Sequence, residues 1–151
     1  MYQKSITHHI SKIVIDVLFY LSIVCVILVP FWAKQLFLWI NYPNQHYLTL
    51  FVGIIFVSGV CCVYILYHLK QMFRSLLQGN PFVDKNVSHF RKIAAACGLI
   101  ALIYGVKCLF MFTYATLVIM IVFVVGCLFC LTLKDLFKQA INYKTETELT
   151  I

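Results

Sequence analysis

The sequence predicts an all-α integral membrane protein: a four-helix bundle, N-in/C-in, with a cytoplasmic helix-turn-helix elbow between the second and third helices. Three observations carry this prediction. The 151-residue chain is 63% hydrophobic with a mean hydropathy of +0.95, too apolar for an ordinary water-soluble globule. Its apolar residues fall into four runs, roughly 11–30, 48–69, 93–112 and 114–133. Crossing ~30 Å of hydrocarbon at 1.5 Å per residue takes ~20 such residues, so each run is a span. The basic residues are not scattered evenly between those runs, and their distribution sets the orientation.

The first run follows Lys4 and Lys12 and is too long for the apolar region of a signal peptide. It ends in Val29-Pro30-Phe31-Trp32 without a small-residue cleavage site, and so reads as a retained first helix. Lys70, Arg74, Lys85, Arg91 and Lys92 fill the second connection, and Lys134, Lys138 and Lys144 follow the last run. These three basic regions share the cytoplasmic side. The first connection, Phe31 to Tyr47, carries only Lys34, and the third, around Thr113-Tyr114, carries no charge, so both face outward. Trp32, Trp39, Tyr42 and Tyr47 suit the headgroup layer, where the first connection turns at Asn41-Tyr42-Pro43-Asn44. The third and fourth spans are joined by so few residues that they form an antiparallel hairpin. The whole chain, 1–151, is one domain.

The second helix continues through Lys70-Gln71-Met72-Phe73-Arg74 and meets Gly79-Asn80-Pro81-Phe82. Gly79 is placed as a C-cap, and Pro81 lacks the N–H needed to continue. Asp84 then caps a new helix, with Val87, Phe90 and Ile93 turned toward the bundle. The GNPF motif, Asn86, and Arg91-Lys92-Ile93-Ala94 entering a small-residue helix together resemble a bacterial family of small membrane proteins, domain-of-unknown-function family 2975. The four-span layout and the ending Glu148-Leu149-Thr150-Ile151 are similar too, although Thr145-Glu146-Thr147-Glu148 splits the acidic pair usual there. The resemblance covers nearly the whole chain. It implies a multi-pass protein of the bacterial cell membrane, without established chemistry, whose relatives are often encoded beside a small helix-turn-helix transcription regulator.

Two charges lie within spans, Asp16 and Lys107, and each costs at least ~2.5 kcal/mol in hydrocarbon unless paired or hydrated. Counted from the cytoplasmic ends, their depths are roughly 9 Å and 21 Å, a separation too large for direct contact. Asp16 is therefore expected to meet Lys12 or Tyr20, one turn away, and Lys107 to snorkel outward. Ala94, Gly98, Ala101, Gly105 and Cys108 form a small-residue stripe on the third helix that allows close approach of a neighbour. Lys107 sits roughly 140° away from it.

The seven cysteines all fall inside apolar runs, which implies no disulfide framework. Cys127-Leu128-Phe129-Cys130 matches the CxxC pattern of quinone-linked thiol oxidases, but those enzymes need further cysteines in an outer loop, and Phe31 to Tyr47 has none. Here the pair reads as apolar filler. His8, His9, His68 and His89 lie toward the cytoplasmic side with no helical ligand spacing, and are expected to be solvated. No metal or other cofactor is expected, and no phosphate-binding glycine loop or catalytic serine elbow is present. With five acidic residues in all, general acid/base chemistry has few candidates, and the chain is not expected to be an enzyme. A formal charge of +7 spread beside apolar runs argues against direct nucleic-acid binding.

What remains is an interaction protein, in which Lys70, Arg74, Phe82, Asn86, Arg91 and Lys92 form a docking surface with the tail from Lys134 onward. A helix-turn-helix regulator or another membrane subunit would bind there. The rival expectation is a small transporter or an export or immunity accessory subunit, using Asp16 and Tyr20 and working as an oligomer through the Gly53 and Gly98 faces.

Overall fold

The computed structural model describes residues 6–39, 48–77, 83–110 and 112–149. They form four α-helices, α1 (Ile6–Trp39), α2 (Leu48–Leu77), α3 (Asp84–Phe110) and α4 (Tyr114–Leu149), with no strand among the described residues. Within them, Ile10–Trp32, Thr49–Ser75, Asp84–Phe110 and Tyr114–Thr147 are each long and apolar enough to cross a membrane, which marks a multi-pass membrane protein. Helix is the expected state for such runs, because hydrocarbon offers no hydrogen-bond partner to an unpaired backbone group.

The helices are longer than the apolar runs alone suggest. α1 does not end at Pro30 but passes through it to Trp39. A proline frees one carbonyl a turn earlier, a loss that membrane helices tolerate where neighbouring helices compensate. Trp32 and Trp39, expected in a connection, therefore sit on α1 with exposed side chains, whereas Tyr42, Pro43, Asn44 and Tyr47 lie outside the described residues. α2 continues through Arg74 to Leu77 as expected, and Gly79, Pro81 and Phe82 again lie outside the described residues. Asp84 opens a helix, with the Asn86 N–H donating to the Val83 carbonyl at 2.9 Å. That helix is not a separate surface element: it runs unbroken to Phe110, so the third span and the second arm of the elbow are one helix. α4 likewise absorbs most of the tail.

The helices pack in chain order, α1 on α2, α2 on α3 and α3 on α4, without backbone contact between α1 and α3, α1 and α4, or α2 and α4 among the described residues. The expected bundle is thus an open row. Lipid is as good an apolar partner as another helix, so nothing drives α1 round to close it. Each junction is antiparallel. Along α3 and α4, Lys107 meets Thr116, Gly98 faces Cys127 and Phe90 stacks near Phe137. Along α1 and α2, Asp16 meets Lys70, and Val26 lies against Gly59. Consequently the start of α1, the end of α2, the start of α3 and the end of α4 share one end of the molecule, called the elbow end below.

Candidate functional site

Polar groups gather at the elbow end, and their centre is a pair the sequence did not suggest. His68 of α2 and His89 of α3 are buried, at 5% and 7% exposure, and their Nδ1 atoms lie 2.9 Å apart. The expectation of solvated histidines is overturned for these two. At that distance one Nδ1–H donates to the other Nδ1, so a single proton lies between two rings. Neither Nε2 has a hydrogen-bond partner among the described residues. Tyr64 and Tyr67 set their ring edges against His68, with centroids 4.4 and 5.4 Å away. Helical ligand spacing was the wrong test, because the two residues sit on different helices. His68 lies nine residues before the end of α2 and His89 five residues after the start of α3, so their meeting depends on the register of the two helices and not on spacing alone.

Asp16 also finds a different partner from those expected. Its carboxylate forms an ion pair with Lys70 Nζ of α2 at 3.1 Å, with both side chains about one-third exposed. Lys70 simultaneously lies over the faces of Phe19 and Tyr20, 5.1 and 4.9 Å from their centroids. Tyr20 therefore joins the site through its ring. Reasoning within one helix missed this pair, because the antiparallel register of α1 and α2 brings Lys70 to the depth of Asp16. Lys70 is accordingly committed to α1 and is not a free docking cation.

The other docking residues separate. Asn86 is 1% exposed and belongs to the interior. Arg74, Arg91 and Lys92 are exposed, and Phe82 lies outside the described residues. Arg91 lines a pocket of about 320 Å³ with Asp84 and Ser88 of α3 and Lys134, Asp135 and Lys138 of α4. Elbow and tail are thereby joined in one polar surface. Within it Lys134 and Asp135 pair at 3.0 Å.

The remaining residues singled out from the sequence lie along α3. Ala94 and Ala101 are buried, and a Cβ on Gly98 or Gly105 would stand in ordinary contact with Cys127 Sγ at 3.7 Å or Met120 Sδ at 3.6 Å. The small-residue stripe therefore faces α4. Cys97, Cys127 and Cys130 pack with Met72, Phe90 and Ile93 in an apolar cluster. Lys107 does not simply snorkel: its Nζ donates to Thr116 Oγ1 at 3.1 Å and sits 5.3 and 5.8 Å from the ring centroids of Phe51 and Tyr104. Among the described residues, no group of three or more His, Cys, Asp or Glu is arranged to hold a metal ion.

Neither a curated protein nor a solved structure shows significant similarity to this chain. A family model described as "Protein of unknown function (DUF2975)" matches residues 11–151, a stretch that holds all four apolar segments from the second residue of the first onward. With nearly the whole chain matched, including the elbow and the tail whose residues carry the resemblance, the chain belongs to the DUF2975 family.

Proposed function

We propose that this protein is a non-enzymatic membrane adaptor that docks a cytosolic regulator or another membrane subunit on the surface formed by its elbow and the end of α4. The observation that carries the reading is the polar pocket in which Arg91 meets Lys134 and Lys138, two regions some forty residues apart in sequence, counted along an antiparallel hairpin. α4 supports it by length, since 36 residues extend ~54 Å, well beyond a ~30 Å hydrocarbon layer. Lys12, Arg74, Lys85, Arg91, Lys92, Lys138 and Lys144 all belong to the elbow end, and a cytoplasmic elbow end with both termini inside satisfies the preference of basic residues for that side. The partner surface is net acidic and fits around Arg74, Arg91 and Lys92. Reversing these three to Glu releases a partner recovered in gentle detergent while the protein still inserts. Unchanged recovery sinks the reading, because attraction of the same charges to anionic lipid, about 1 kcal/mol each, would then account for them.

A second reading, a transporter or an export or immunity accessory subunit, is favoured by one observation: an ion pair and a histidine pair cross the α1–α2 and α2–α3 junctions of a row too open to enclose a path alone. It requires an oligomer to close the row. Asp16→Asn separates the two, since it abolishes transport and spares docking.

A further inference from the structure

One face of the α3–α4 hairpin carries two linings in line. Near its middle an apolar groove of about 570 Å³ runs between Gly98, Leu102 and Gly105 of α3 and Val124 and Leu128 of α4. Toward the elbow end lies the polar pocket of about 320 Å³ that Asp84, Ser88 and Arg91 form with Lys134, Asp135 and Lys138. Asp84, Arg91, Gly98 and Gly105 recur every seven residues and drift by only ~20° at each step, so groove and pocket share one face of α3. Met120, Cys127 and Lys134 do the same on α4. Between Arg91 and Gly98, helical geometry turns only Ala94 and Ala95 to this face, so no large side chain of α3 separates the two linings.

Depth assigns the two linings to different layers of a membrane. A hydrocarbon layer of ~30 Å takes ~20 residues. Counted from Phe110 along α3 it ends at Arg91, and from Tyr114 along α4 at Leu133, both within about a turn of the level where Phe90 meets Phe137. The groove therefore lies among acyl chains, and the pocket among headgroups. Its charges are of both signs. Lys134 and Asp135 pair with each other at 3.0 Å, whereas Asp84, Arg91 and Lys138 have no ion pair among the described residues. Arg91 stands next to the hydrocarbon, and Asp84 two turns, ~10 Å, farther out. A simple anion would leave Asp84 facing it, and a simple cation would face Arg91 and Lys138. A zwitterion with its phosphate inward and its cation outward meets both. We propose that this face binds a phospholipid with a phosphoethanolamine head, drawn from the leaflet on the elbow side. Its phosphate accepts from the Arg91 guanidinium, the Lys138 ammonium and the Ser88 hydroxyl, its primary ammonium donates to the Asp84 carboxylate, and one acyl chain lies in the groove. The site shares Arg91 with the docking surface but does not rest on a partner, and its test contains protein and lipid alone.

The test releases the full chain from vesicles of equimolar phosphatidylethanolamine, phosphatidylcholine and phosphatidylglycerol with matched chains, and counts by native mass spectrometry the lipid that stays bound. Phosphatidylethanolamine is expected to be retained about tenfold over phosphatidylcholine, whose trimethylated head has no N–H to donate. Stepwise N-methylation of the lipid lowers retention in steps, with no change in the protein. Asp84→Asn keeps a side chain suited to a helix start and removes the preference. Arg91→Gln weakens both zwitterionic lipids, Val124→Trp does the same by filling the groove, and Lys107→Gln, at the far end of α3, alters nothing. Equal retention of the ethanolamine and choline lipids overturns the proposal, as does a preference that survives Asp84→Asn. Retention of phosphatidylglycerol ahead of phosphatidylethanolamine would make the pocket an anion site and overturn it too.

Discussion

α1 and α3 are both membrane-length helices, but they use their residues in opposite ways. α1 is the more apolar, with a mean hydropathy of 2.7 over its best segment against 2.1 for α3, yet 6% of that segment is buried in α1 and 33% in α3. In water the oilier helix would be the core. Here the helix in the interior carries Asn86, His89, Ala94, Gly98, Ala101 and Gly105, and the helix at the edge offers Ile13, Val17, Leu21 and Ile27 outward. Lipid already satisfies large apolar side chains, so α3 gains its neighbours through small residues that admit close packing and polar groups that cross-link. Hydropathy therefore reports contact with lipid, and burial must be read from size and polarity.

The comparison breaks most visibly by truncation. Ile100 on α3 has no exposed surface, and cutting it to Ala leaves a buried cavity, at a cost of about 2–5 kcal/mol. Leu21 on α1 faces outward, with 55% of its surface exposed, and Leu21→Ala is expected to cost less than ~0.5 kcal/mol. Reversible unfolding in mixed micelles measures both. Similar values for the two would mean that α1 is covered in the assembled protein.

Next in size is the histidine pair. Replacing His68 alone by Phe leaves the Nδ1 of His89 buried without its partner, and the expected loss is about 1–3 kcal/mol. Replacing both by apolar residues removes the two polar groups together, and the double variant should recover much of that loss. A thermodynamic cycle over the four proteins reads the coupling directly. Additive losses would show that the 2.9 Å contact contributes nothing to holding α2 against α3.

The difference between these two tests mirrors what was legible in the sequence. The four spans, Asp84 as a helix start and a close helix contact at Gly98 and Gly105, though not α4 as its partner, follow from periodicity, capping chemistry and residue size, all local properties. Asp16–Lys70 and His68–His89 depend on the register of two antiparallel helices, which no single helix contains. One turn along α1 offers Asp16 only Lys12 and Tyr20, and Lys70 comes to its depth only through the register of α2 against α1. The histidines were assigned to solvent by their residue type, although buried imidazole is stable once each ring finds a partner. Hydropathy also gave no reason for the row to stay open, since a closed and an open arrangement of these helices expose equally apolar faces.

A smaller effect sharpens the contrast at the α1–α2 junction. A Cβ on Gly59 would stand 2.8 Å from Val26 Cγ2, and valine cannot rotate freely out of the way because its χ1 is stiff. In a core helix this overlap would be costly, but α1 has no second neighbour among the described residues and can retreat into lipid. Gly59→Ala is therefore expected at the low end of overpacking, ~1 kcal/mol, with Asp16 and Lys70 drawn apart. Crosslinking between cysteines introduced along α1 and α2 reports the displacement. A loss near the upper end of the range would show that α1 is pinned from its far side.

Gly53 makes the smallest and most pointed case. A Cβ there meets none of the described residues within 4 Å, so within one chain Gly53→Ala restricts the unfolded backbone and improves helix propensity, a gain of ~0.5 kcal/mol. The same methyl group would obstruct a neighbouring helix seated on that face at small-residue distance. Stability and self-association then move in opposite directions if a second copy packs there, and stability alone rises if lipid does. Measuring both on one variant decides whether the open side of α2 belongs to the membrane or to another subunit, and with it whether the row is the complete molecule or one section of a closed one.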